Sequence, residues 1–363
     1  MQSMNPNPDS LVEQAFALAL QARGTTLPNP AVGCIVLDKS GKVVGKAATS
    51  ASGRPHAERQ ALEQAGPRAR GGTVVVTLEP CVAFPGKKSP PCAAAVLLSG
   101  AETLVVGSPD PNPQVSGRGL HALRKAGLKV IEAPLGGRIP DFYAGFGHFL
   151  STGRPRVTLK IAVSADGFCA AGAGARTDIT GPEARAFVHS LRAASDAVLV
   201  GGSTARIDDP ELTVRDAPGR SPRRMVLWPS GGLDAGLKLW TGPVPSVAWG
   251  AGSRPTALPA TAGWEPVPQD GTQANLQALV VRCGELGLHD LLVEPGPKLL
   301  QSFLRTGAWD RLWVVRSPDA LGNGVPFDPS GLLPKSAASR SVKLGKDLAE
   351  EWEREPNPAP RAA

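Results

Sequence analysis

Three metal-binding side chains lie in separate stretches of the chain, His56, Cys81 and Cys92, and Glu58 stands two residues after the histidine. Each cysteine follows a proline, Pro80 and Pro91. Donors so far apart share one ion only if the fold brings three segments to a point, so the set constrains topology as well as chemistry. One imidazole and two thiolates suit a zinc ion whose fourth position stays open for water. Glu58 is the right type of group to move that water's proton. A closed structural zinc would want a fourth Cys or His. The N-terminal half offers Cys34, inside an apolar run, and His121 and His148, far along the chain. Cysteines buried without metal are a second bland reading, but they leave the co-occurrence of His-x-Glu with two Pro-Cys pairs without a reason.

The surrounding pattern puts these residues at the ends of elements. Residues 57–65 read as a helix opened by His56. Residues 92–98 read as another, with Pro91 at its start, where a missing N–H costs nothing. Cys81 follows a β-branched strand at 73–78. Both helix N-termini would face the metal, and their dipoles favour thiolate over thiol. Around them, residues 10–24 read as a helix with a Ser10/Glu13 capping box. Residues 31–38 and 42–48 form a hairpin about Lys39-Ser40-Gly41. A strand at 103–106, a helix at 120–126 and a strand at 129–132 follow. This alternation, running to about residue 150, predicts an α/β layered domain.

A second domain begins after a linker, Thr152-Gly153-Arg154-Pro155-Arg156. It contains strands at 157–164, 196–200, 224–228, 290–294 and 311–315, with helices at 182–193, 275–286 and 298–306. Residues 218–222 and 250–273 read as loops. All seven Trp residues lie in this half. The expected domains are therefore 1–150 and 151–363, with a disordered tail at 356–363. The net charge of +7 fits an anionic ligand, phosphates or nucleic acid, or simply a basic surface. The five cysteines are odd in number and widely spaced, which argues against a disulfide framework. The first ten residues are polar and unlike a signal peptide, and no apolar run reaches membrane-spanning length. The expectation is a cytoplasmic protein with no membrane partner. Gly117-x-Gly119-x-x-Ala122 follows a turn rather than a strand, so it is weak as a dinucleotide fingerprint.

His-x-Glu followed by Pro-Cys and a second Cys is the signature of zinc deaminases. Ten residues, 82–91, separate the cysteines, where deaminases of cytidine or nucleic acid have two. With that long loop, the chain resembles the bifunctional deaminase/reductases of riboflavin biosynthesis. Further matching pieces are Pro28-Asn29-Pro30-Ala31-Val32-Gly33, Thr77-Leu78-Glu79-Pro80-Cys81 and Asp110-Pro111-Asn112-Pro113. In the second half they are Lys160 to Gly167, Ile179 to Arg185, Asp196 to Gly201, Thr204 to Arg215, Glu294-Pro295-Gly296-Pro297 and Leu321-Gly322-Asn323-Gly324. The resemblance spans residues 10–350.

It implies an α/β protein of two domains, a cytidine-deaminase-like α/β/α zinc domain followed by a dihydrofolate-reductase-like α/β domain. It implies Zn2+ and NADPH as cofactors, and hydrolytic deamination of a phosphoribosylamino-diaminopyrimidinone followed by reduction of its ribosyl group to ribityl. By the same resemblance Glu58 is catalytic, and Ala162, Asp178, Thr204, Asp208 and Gly296 bind NADPH. Arg176, Arg192, Leu212, Arg215, Glu294 and Lys160 meet the reductase substrate, and Asn29, Lys88 and Asp110 the deaminase substrate. Arginines suit a phosphate because they hold it bidentately. The partner is a phosphorylated pyrimidine, not nucleic acid, and the family suggests a homo-oligomer.

The chain departs from the family pattern at several positions. The inter-cysteine loop is two residues longer than usual and lacks a histidine, and Thr49 stands where the family carries another. In the reductase, Asp178 replaces a usual Trp and Pro295 a small residue. Two competing readings follow. One is a single-activity reductase whose degenerate deaminase domain is kept as a zinc-stabilised scaffold; the missing histidines support it. The other is a nucleic-acid deaminase, which the basic charge supports and the second domain opposes.

Overall fold

Two close approaches of helix to sheet explain the layering of the first unit. A Cβ on Gly33 would lie 1.8 Å from the Ala15 carbonyl oxygen, and one on Gly45 would lie 2.0 Å from that of Ala61. Ala15 is in α1 (Pro8–Ala22) and Ala61 in α2 (Ala57–Ala65). Gly33 is in β1 (Gly33–Leu37), and Gly45 in β2 (Val43–Ala48) pairs with Val36 of β1. Gly33 and Val36 are three residues apart on one strand, so they present opposite faces. Helices α1 and α2 therefore cover opposite faces of the sheet, an α/β/α sandwich.

The computed structural model describes residues 7–86, 89–172, 174, 177–228, 234–271, 273–327 and 340–354. It divides into two units, Met1–Thr152 and Gly153–Ala363. Lys88, Arg176 and the 356–363 tail lie outside the described residues. The first unit adds β3 (Thr73–Val76), α3 (Cys92–Leu98), β4 (Thr103–Val106), α4 (Arg118–Lys125), β5 (Lys129–Glu132) and α5 (Arg138–Thr152). Its sheet runs β2-β1-β3-β4-β5, with β1 antiparallel to both neighbours and β3, β4 and β5 parallel.

Two local expectations are corrected. Helix α1 begins at Pro8, capped by Asn7, whose side chain accepts from the Asp9 N–H at 3.1 Å. The Ser10/Glu13 box therefore does not form; Ser10 lies inside the helix and Glu13 pairs with Arg138 at 2.8 Å. Helix α5 was not expected, because Pro140, Gly145 and Gly147 lower helix propensity. The buried spacing Ile139, Phe142, Tyr143, Phe146 overrides them. Thr152, read as the start of a linker, closes that helix, and Arg156, read as its end, opens the next strand.

The second unit contains β6 (Arg156–Val163), β7 (Phe168–Ala170), α6 (Pro182–Ala193), β8 (Ala197–Gly201), α7 (Gly202–Asp208) and β9 (Arg223–Trp228). There follow β10 (Ser246–Gly250), β11 (Gly263–Pro266), β12 (Gln269–Asp270), β13 (Gln273–Ala274), α8 (Leu276–Glu285), β14 (Asp290–Val293), α9 (Pro297–Thr306), β15 (Arg311–Arg316), β16 (Val325–Pro326), β17 (Arg340–Leu344) and β18 (Asp347–Glu353). Strands β11 and β12 lie in the stretch read as a loop. The nine-stranded sheet is ordered β11-β10-β9-β8-β14-β6-β15-β18-β17 and is parallel from β11 to β15. The chain steps outward from β8 to β11, then returns to insert β14 between β8 and β6. Such a reversal opens a crevice at the carboxyl ends of the strands.

Candidate active sites: a metal centre and a glycine-lined cavity

The donor atoms of His56, Cys81 and Cys92 lie within 4.8 Å of one another. His56 Nδ1 is 3.4 Å from Cys92 Sγ and 3.7 Å from Cys81 Sγ. Tetrahedral zinc with ordinary Zn–S and Zn–N bonds places such donors roughly 3.6 Å apart, so the residues fit the ion. Local structure explains the convergence. His56 is the N-cap of α2, with extended backbone, and Cys92 is the first residue of α3. Cys81 follows β3 on a loop tied to α3, its sulfur accepting from the Cys92 N–H and its carbonyl from the Ala93 N–H. A hydrogen bond with Cys81, then burial and the Glu58 charge, hold the Cys92 thiol well above the usual range, a cost that a bound cation would remove.

Glu58 is buried in the first turn of α2 and its carboxylate meets the Cys92 thiol. Burial and the Cys81 charge push its carboxyl up to about 7, with His56 opposing. Asn29 donates to the Gly53 carbonyl at 3.0 Å, in the turn that leads into His56. Thr49, where the family has histidine, is buried and hydrogen-bonded to Val32.

In the sequence Glu79 stands out only as part of the Thr77-Leu78-Glu79-Pro80-Cys81 motif. Its buried carboxylate accepts four backbone N–H groups, from Asp110, Gly117, Gly119 and Leu120, at 2.7–3.1 Å. It thus pins the 110–120 segment, including the expected substrate contact Asp110, beside the Pro80-Cys81 loop. An acid directly before Pro-Cys, at the end of an apolar strand, was the available signal.

In the second unit a cavity of about 730 Å³ opens at the carboxyl ends of β9, β8, β14 and β6. Of the expected cofactor residues, Ala162, Thr204, Asp208 and Gly296 line it. Asp178 does not: it is exposed, and only its neighbours Thr177 and Ile179 reach the wall. A Cβ on Gly296 would lie 2.9 Å from Thr204 Oγ1, and one on Gly202 would lie 3.3 Å from the Trp228 ring. At these two positions glycine lets the backbone pack closely against Thr204 and Trp228.

Among the expected substrate contacts, Lys160 and Glu294 line the same cavity. Arg192 grips Glu294 bidentately at 2.6 and 2.9 Å and donates to the Thr213 carbonyl. Burial alone would raise the Glu294 carboxyl, but Arg192 and Lys160 outweigh it and hold it below the usual range. Burial pushes the Lys160 ammonium down. Arg215 is exposed and paired with Glu211. Leu212 buries its side chain in the core with Val198 and Val226, its backbone at φ +54°, so only its backbone is left to meet a ligand. Sequence reasoning also missed His189, whose Nδ1 accepts from the N–H groups of Arg215 and Asp216 at 3.0 and 2.9 Å. Its helical position one turn before Arg192 was the signal.

Residues 155–349 match the RibD C-terminal domain, and residues 6–108 match the cytidine and deoxycytidylate deaminase zinc-binding region. The riboflavin biosynthesis protein RibD of Aquifex aeolicus is 37% identical, covering 92% of this chain and 95% of that protein. The Escherichia coli protein of that name is 35% identical, covering 85% and 87%. This chain belongs to the RibD family. Among solved structures, Acinetobacter baumannii RibD has a TM-score of 0.72 at 30% identity, covering 95% of this chain and 98% of that one. The Thermotoga maritima protein, a diaminohydroxyphosphoribosylaminopyrimidine deaminase/5-amino-6-(5-phosphoribosylamino)uracil reductase, has a TM-score of 0.73 at 28% identity, covering 95% and 98%. As a member of this family the chain is a bifunctional enzyme of riboflavin biosynthesis, joining a zinc-binding deaminase domain to a reductase domain. Among the described residues no helix is long and apolar enough to cross a membrane.

Proposed function

We propose that the first domain, within residues 1–150, deaminates 2,5-diamino-6-(5-phosphoribosylamino)pyrimidin-4(3H)-one, and that the second, within 151–363, reduces the ribosyl group of the product to ribityl. The observation that carries this is the convergence of His56, Cys81 and Cys92 with the Glu58 carboxylate against them. Zinc held by those three residues supplies a Lewis acid that brings the pKa of a water near neutrality. Glu58 takes the proton of the attacking water and passes it to the leaving amine, which departs as ammonia. The helix N-terminus behind Cys92 favours its thiolate. Glu79 holds Asp110 in place to meet the substrate.

In the second domain the cavity suits NADPH, which supplies the hydride. Thr204, Asp208 and Gly296 shape its wall, and Lys160 and Glu294 face the reacting end. Arg192 keeps Glu294 ionised and oriented, and Arg215 receives the substrate phosphate. The net charge of +7 suits a phosphorylated small molecule. No disulfide joins the five cysteines, which suits the reducing cytoplasm.

Glu58→Gln should abolish ammonia release while zinc stays bound and NADPH consumption continues. If the purified wild type releases no ammonia from the diaminopyrimidinone, the reading with a degenerate deaminase domain replaces this one.

A further inference from the structure

The cavity of the second unit has two chemically distinct ends. At β14 and β6 stand Glu294 and Lys160, with Arg192 behind. At β9, two strands beyond β14, stand Trp228 and Arg206, with the Arg206 guanidinium 5.1 Å from the centre of the Trp228 ring. Strand spacing of about 4.8 Å puts β9 roughly 14 Å from β6. On the proposed reading, hydride passes to the substrate at the Lys160/Glu294 end, so the nicotinamide must lie there. An extended dinucleotide then carries its adenosine towards β9.

The Arg206 guanidinium is held over an aromatic face, a contact that leaves its N–H edges open to a phosphate. In α7, Arg206 lies two residues from Thr204 and from Asp208, so it points away from the face those two share. We infer that Arg206, positioned by Trp228, binds the 2′-phosphate of the adenosine and is the residue that selects NADPH over NADH. Lys298, exposed on α9 and lining the same cavity, is a rival cation. On this inference it meets the phosphates common to both cofactors.

This inference rests on the reductase reading, and the test separates the two. Binding of adenosine 2′,5′-bisphosphate and of 5′-AMP to the full-length protein is measured by calorimetry, and NADPH and NADH oxidation with the deaminated substrate is followed on the same preparations. The wild type should prefer the bisphosphate and NADPH. Arg206→Ala should lower that preference roughly 10- to 100-fold, the size of a charge-assisted contact, with the NADPH KM rising far more than the NADH KM. Trp228→Leu should lower it by a smaller factor. Lys298→Ala should weaken both cofactors alike. If Arg206→Ala keeps the preference, or loses both cofactors equally, or if Lys298→Ala alone abolishes the preference, the assignment is wrong. A wild type that oxidises NADPH and NADH equally well overturns it while leaving the reductase reading intact. A wild type that binds neither cofactor overturns the reductase reading itself.

Discussion

The two sites are built on opposite plans. The metal centre is compact: three donors from three segments meet within 4.8 Å, both cysteines buried and His56 half-buried, with Glu58 alongside. The reductase site is dispersed: a cavity of about 730 Å³ at the ends of four strands, walled by residues from many segments. A compact site fails all at once when one donor goes. A dispersed site should lose affinity in steps. The largest expected effect tests that contrast. Cys92→Ala should bring zinc content to zero and ammonia release to background, while NADPH oxidation with deaminated substrate stays within about twofold. Atomic absorption and the two assays on one preparation check it, and a parallel loss of both activities would contradict the independence of the sites.

The next test strikes the reductase at its most tightly coupled pair of side chains. The Arg192–Glu294 pair is almost fully withdrawn from water, and each partner is the other's main counter-charge. Removing one half of a buried ion pair costs roughly 3–5 kcal/mol. Glu294→Ala should lower the urea midpoint of the second unit and abolish reduction, whereas deamination should persist at concentrations of urea below that midpoint. If stability is unchanged, Arg192 finds other partners and the pair is not an anchor.

The contrast also explains what the sequence revealed. His56, Glu58, Cys81 and Cys92 were legible because the chemistry resides in residue types, and because helices α2 and α3 start at the positions that their prolines and apolar spacing dictate. Strand β4, strand β5 and helix α6 were legible for the same local reasons. What was hidden depends on distant backbone. Glu79 looks like any acid until four N–H groups from residues 110–120 close on it. Leu212 looked like a ligand contact because of its neighbours, yet its positive φ turns its side chain into the core. Asp178 falls between two cavity residues and misses the cavity. The parallel edge strand β11 lies within a Pro- and Gly-rich stretch whose pairing with β10 no local pattern signals.

Glu79 gives a smaller effect on the deaminase side. Glu79→Leu leaves four N–H groups without an acceptor, three of them buried and that of Gly117 part-buried, at about 1–3 kcal/mol for each that finds no water. The 110–120 segment should loosen, raising the deamination KM more than tenfold while zinc stays bound and the reductase is unaffected. Glu79→Gln, which keeps one carbonyl oxygen, should fall between. Hydrogen exchange at Gly117 to Leu120 reads the loosening directly, and unchanged protection there would show that the carboxylate is not what holds the segment.

The smallest expected effect is a pH dependence confined to the second unit. His189 Nδ1 accepts two N–H groups and can do so only while unprotonated. Burial, then the Arg192 charge, lowers its pKa; Arg215 acts in the same sense, while Asp216 and Glu294 oppose them. A histidine whose folded-state pKa lies below its unfolded value of about 6.5 stabilises the fold above that pH. That contribution is lost as pH falls through the folded value, because the unfolded chain then binds more protons. The turn at residues 215–216, which presents Arg215, should therefore weaken in acid. The reductase KM should rise as the pH falls below the ordinary histidine range, with kcat little changed. His189→Asn can still accept through its side-chain oxygen and does not titrate, so it should flatten this rise, while His189→Leu should show the high KM at every pH. An acid rise that survives in His189→Asn would assign the effect to another group.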